Sequence, residues 1–134
     1  MNNKQLYSCC FTVEVLGGKA FFTYPKEMAR IIGATYMIVH SVKCLTECPT
    51  GICYYIFSDT SFFQEKDKYK NNVLQCFEPS DQNRLINFKS KVVNTLETTP
   101  TRVDLSIKFW KDHAYHLATD VNAILTVELY GFRD

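Results

Sequence analysis

A strong charge of either sign is missing from this chain of 134 residues, whose 15 basic and 14 acidic side chains are spread along it and leave a formal net charge of +1. Without a cationic stripe there is nothing to hold a phosphate backbone, so direct nucleic-acid binding is excluded as the main role. No stretch approaches the roughly 18 apolar residues of a membrane-spanning helix, and no membrane span is expected. The opening residues Met1 to Gln5 lack the basic start and continuous apolar run of a signal peptide. The expectation is a chain made and kept in the cytoplasm or nucleus, not secreted. In such a compartment its six cysteines are expected to be free thiols.

Glycine is scarce as well. The only adjacent pair, Gly17-Gly18, stands between two alternating segments and not before a helix, so it reads as a tight turn and not as a phosphate-cradling loop. No Ser or Cys stands in a nucleophile elbow. The chain is therefore expected to be neither an enzyme nor the holder of a cofactor.

What is present is apolar and aromatic. Ten Phe and eight Tyr in a chain that is 46% hydrophobic exclude intrinsic disorder and favour a packed β-rich core. The length suits one domain, 1–134, burying roughly two-thirds of its unfolded surface. The clearest pattern lies at the end. Val103, Leu105, Ile107 and Phe109 alternate with Arg102, Asp104, Ser106 and Lys108, and Val121, Ala123, Leu125, Val127 and Leu129 alternate with mostly polar neighbours. Both arms read as half-buried strands, and the pair reads as a long β-hairpin over 101–134 with both apolar faces pointing into the core.

Upstream, Leu6 to Val15 and Lys19 to Tyr24 read as strands joined by Gly17-Gly18. Pro25 then opens a short helix to Ile32 with Met28, Ile31 and Ile32 on one side. Residues 35–42 form an apolar strand suited to a central position, and 52–57, 73–77, 83–88 and 91–96 are further strands. Residues 58–72 are a polar excursion around Phe62-Phe63. Strands in short succession, without alternating helices, give an antiparallel β-sandwich of about eight strands with one short helix.

Few residues suggest chemistry. His40, Cys44, Cys48 and Cys53 are candidate metal ligands, since zinc favours Cys and His in short spacings, but the spacing is irregular and the same residues read equally as strand and loop positions. Asp112, His113, His116 and Asp120 could pair a carboxylate with an imidazole, or be a solvated connection. Neither set is taken as a site, so the expectation is no metal and no catalytic residue. Trp110 is a candidate interface anchor or a core cap, and Phe62 and Phe63, adjacent rings in a charged loop, are candidate subunit contacts.

The terminal segments Val103 to Asp112 and Asp120 to Tyr130, closing on Leu-Thr-Val-Glu-Leu-Tyr, resemble the last strand pair of small viral single jelly-roll capsid proteins. These are the minor-capsid and penton-like proteins of double-stranded DNA viruses and related elements. The resemblance implies a β-sandwich of jelly-roll type. It also implies a structural virion subunit that self-associates as a trimer or pentamer beside other shell proteins. The alternative is a monomeric ligand- or protein-binding module, lectin-like or cytokine-like, presenting Tyr54, Tyr55, Tyr69, Tyr115 and Tyr130.

Overall fold

The computed structural model describes residues 5–47, 51–58, 72–79, 84–96 and 101–133. Among the described residues it is all-β, with ten strands: β1 (Gln5–Val15), β2 (Lys19–Thr23), β3 (Ile32–Cys44), β4 (Tyr54–Ser58), β5 (Asn72–Phe77), β6 (Leu85–Asn87), β7 (Asn94–Leu96), β8 (Arg102–Lys111), β9 (Ala114–Leu117) and β10 (Ala123–Arg133). They form two antiparallel sheets packed as a sandwich. The first runs β1-β10-β3-β6, with β7 also on β3, and the second β2-β8-β4-β5, with β9 also on β8.

Because β6 and β7 pair with successive parts of β3, they share one edge position, and β9 extends the β2 edge along β8. Ten segments thus occupy eight ladder positions, four per sheet. Four antiparallel pairs, β1 with β10, β2 with β8, β3 with β6 and β7, and β4 with β5, are nested along the chain. This is the strand order of a jelly roll.

The alternation carries through into packing. Val103, Leu105 and Ile107 from one sheet and Ala123, Leu125, Val127 and Leu129 from the other are buried in one core with Val121, just ahead of β10, and with Met28, Met37, Val39 and Leu96. The hairpin does not form. β8 and β10 belong to opposite sheets and face each other across the core, and the hairpin mate of β8 is β9, inside what reads as a polar connection. Gly17 and Gly18 both have positive φ, 58° and 76°, as a two-residue turn requires, and Leu16 and Lys19 exchange backbone hydrogen bonds. One pair is all the turn makes: β1 then joins β10 while β2 joins β8.

The expected helix is a 3-10 turn over Lys26–Arg30. Pro25 is extended and offers no side-chain cap, and five residues are too few to offset helix nucleation. Met28 is buried as expected, but Ile32 begins β3 and is 51% exposed.

Two polar groups tie the core across sheets and elements. Asn94 Nδ2 lies 3.4 Å from the carbonyls of Met37 in one sheet and Leu74 in the other. The hydroxyls of Tyr24 and Thr35 meet at 2.6 Å, both buried. Tyr24→Phe leaves the Thr35 hydroxyl buried without that partner and is expected to lower stability by about 1–3 kcal/mol. Adding Thr35→Val should recover much of it, a cycle readable by urea unfolding. Burial also pushes the Tyr24 phenol up, opposed in part by the Thr35 bond. With the folded value the higher one, the unfolded chain deprotonates first as pH rises. Tyr24's contribution is therefore intact below about pH 10 and lost above it, so the alkaline loss of stability should be smaller in Tyr24→Phe.

Candidate interaction surfaces

The residues that suggested a metal centre are not brought together. Opposite β10, the β3 register passes from Val39↔Val127 to Ser41↔Thr126, which makes His40 the extra residue of a bulge. Its side chain turns outward, where Nε2 meets Glu128 Oε1 at 2.7 Å. Cys44, on the same strand, points into the core. Cys53 precedes β4 in the other sheet and is exposed, and Cys48 lies outside the described residues. Among the described residues no group of three His, Cys, Asp or Glu side chains could hold a metal ion.

The second histidine set is occupied structurally. Asp112 and His113 have φ of 53° and 63° and form the two-residue turn between β8 and β9. His116 donates from Nε2 to the Lys111 carbonyl at 2.8 Å and stacks on Phe109 at 5.6 Å. Asp120 accepts at its backbone carbonyl from Thr46, and lines a cavity of about 210 Å³ together with Ile52, Tyr54 and Phe109.

The surfaces that remain are apolar. Strand β1 is an eleven-residue edge that pairs only with β10 among the described residues. It carries one charged residue, Glu14, and no proline, so the usual devices that discourage strand addition are almost absent. Its inward side chains Tyr7, Cys9 and Phe11 are only partly buried, whereas Leu129 and Val127, opposite Cys9 and Phe11 on β10, are sealed in the core. The reason is length: β2, the strand that covers this edge from the other sheet, has only five residues. Partial burial and the Glu27 carboxylate push the Cys9 thiol up, so it stays protonated at neutral pH.

On the outer side of the same sheet, Leu6, Phe132 and Ile32 stand in one cross-strand row, with Leu6 64% exposed and Phe132 43%. The next row holds Tyr130 and Tyr36, stacked at 5.2 Å, and beyond it lies the His40–Glu128 pair. Burial, then the nearby Glu128, raises the Tyr130 phenol above its ordinary value.

The outer side of the second sheet carries an aromatic cluster centred on Tyr115. Phe57 lies 4.7 Å from it, Trp110 4.8 Å and Tyr55 5.4 Å, all edge-to-face. Trp110 is not part of the core. It is 39% exposed and rests against Tyr115, its cross-strand partner on β9. Phe57 is 2% exposed although it lies outside the central core, because Tyr115 and the Lys108 ammonium, 5.1 Å from its ring, cover it. Tyr54, read from the sequence as a surface tyrosine, is buried against Phe77. Tyr69, Phe62 and Phe63 lie outside the described residues.

Sequence reasoning missed both the β1 edge and this cluster. A signal for the cluster was present: Tyr55 and Phe57 share one face at i, i+2, and Trp110 and Tyr115 flank the Asp112-His113 turn symmetrically. Comparison with protein families, curated proteins and solved structures finds no match to the chain. What stands is the two-sheet antiparallel sandwich and its surfaces, and function is argued from them.

Proposed function

We propose that the protein is a structural, self-assembling subunit of a virion or similar shell, acting by association and not by catalysis. A sandwich fold hosts many functions, so the reading rests on the surface. One observation carries it: a long, nearly uncharged edge strand with half-open core residues behind it and the exposed row Leu6, Phe132 and Ile32 beside it. Strand edges and apolar rows of this kind are protected in monomers and covered in assemblies. The viral part of the reading comes from the resemblance of the two terminal segments, and the jelly-roll strand order is consistent with it.

A second reading, a monomeric binding module, draws on Tyr55, Trp110 and Tyr115, whose rings suit a flat ligand or a partner surface. Mass in solution separates the two. The unmodified chain should sediment as a closed oligomer, a trimer or pentamer. Leu6→Glu with Phe132→Glu should weaken association by about 2–4 kcal/mol while leaving monomer stability nearly unchanged, because both side chains are exposed. A chain that stays monomeric at high concentration sinks the shell reading and favours the module.

A further inference from the structure

The strands β4 and β5 bring two cysteines, Cys53 and Cys76, together at the edge of the second sheet. In the β4–β5 register Cys76 stands opposite Tyr55, and Cys53 lies two residues before Tyr55 on the same outer side. Both are exposed free thiols. The Cys53 sulfur is 4.0 Å from the Tyr54 carbonyl, its donor turned along the strand. Its nearness raises the Tyr55 phenol, and burial and then the Cys53 sulfur raise the Cys76 thiol. The other described cysteines are remote from this pair in the topology: Cys9 and Cys10 are on β1, and Cys44 is buried at the end of β3.

We infer that Cys53 and Cys76 form a dithiol–disulfide pair that fastens the edge strand β5 to β4 under oxidising conditions. This is independent of the assembly reading. Diagonal cross-strand positions have Cα atoms about 7–8 Å apart, slightly beyond the usual reach of a disulfide. Cys53 precedes the first ladder pair of β4, Tyr54 with Phe77, so its backbone is not held by the ladder and can close the difference. Cys53 stands ahead of the β4 ladder whereas Cys76 is held within β5 opposite Tyr55, so Cys53 is the attacking thiol and Cys76 the resolving one; burial, then the neighbouring Cys53 sulfur, also raises the Cys76 thiol.

The oxidant is a small disulfide of the glutathione class. The Cys53 thiolate attacks one sulfur of glutathione disulfide, breaking its S–S bond, forming a mixed disulfide and releasing one glutathione thiolate. Cys76 then loses its proton and attacks the Cys53 sulfur, which forms the Cys53–Cys76 bond and expels the second glutathione thiolate. The two protons from the cysteines are taken up by the two glutathione thiolates, so the protein loses two electrons and two protons and one glutathione disulfide becomes two reduced glutathiones.

The test uses the reduced full chain with glutathione disulfide at mildly alkaline pH, acid quench, intact mass and peptide mapping. The expected product is a chain two hydrogens lighter, formed at a rate independent of protein concentration, that maps to a Cys53–Cys76 linked peptide and melts at a higher temperature than the reduced chain. At this pair, Cys76→Ser should stop at a glutathione adduct on Cys53, and Cys53→Ser should react more slowly at Cys76. Both positions are exposed, so both variants fold. A wild-type chain that stops at glutathione adducts, or a bridge that joins either residue to another cysteine or to a second chain, overturns the pairing.

Discussion

Leu125→Ala is expected to destabilise the protein by about 2–5 kcal/mol, with Leu105→Ala in the same range, measured as a shift in the urea midpoint at unchanged slope. The two leucines come from opposite sheets, Leu125 from β10 in the middle of one and Leu105 from β8 in the middle of the other. Leu125 is fully buried and Leu105 nearly so. Truncation removes the transfer free energy of the lost methyl groups and leaves a cavity. Strands flanked on both sides by ladder partners cannot shift to fill it. Since the two side chains line the same core from facing sheets, the double variant should differ from the sum of the singles if they share a cavity. A loss well under 2 kcal/mol at both positions is incompatible with the packing described here.

The second large effect is expected at the first turn. Gly18→Ala should cost roughly 2–5 kcal/mol, and Gly17→Ala only about 1–2 kcal/mol, although both residues have positive φ. The difference is space. A Cβ on Gly18 would come within 2.6 Å of the Ala118 carbonyl oxygen and 3.2 Å of that of Ile107, whereas one on Gly17 would meet nothing closer than the Thr119 carbonyl at 3.6 Å. Nor can Gly18 move aside: its N–H donates to the Val121 carbonyl at 2.9 Å and its carbonyl accepts from Ile107 N–H at 2.7 Å. These bonds lock the β1–β2 turn onto β8 and the approach to β10, so the clash is with backbone and not with a side chain that could rotate. Equal losses at the two glycines, read by thermal unfolding, would refute the close approach.

These two predictions also separate what is local from what is not. The inward faces of β8 and β10 are legible in the alternation of Val103, Leu105 and Ile107 and of Leu125, Val127 and Leu129, because a period of two puts every second side chain on one side whatever the neighbours. The positive φ of Gly17-Gly18 and the punctuation at Pro25 are legible for the same reason: they are steric properties of single residues. Which strand pairs with which is not. Ladder hydrogen bonds are made by backbone groups common to all residues, so β8 and β10 would show the same pattern as partners in one sheet or as facing strands in two.

That ambiguity produced the hairpin reading, and it hid β9, whose four residues Ala114 to Leu117 look like a polar connection until Tyr115 is seen against Trp110. It also hid the surfaces. The His40–Glu128 pair joins residues 88 positions apart, and the open edge of β1 follows from β2 being too short to cover it. The chain by itself determined the inward faces of β8 and β10 and the turn at Gly17-Gly18. Pairing across the sheets, and with it the exposed edge and the meeting of Cys53 with Cys76, was decided only by tertiary structure, because those contacts depend on register between distant segments that no local pattern encodes.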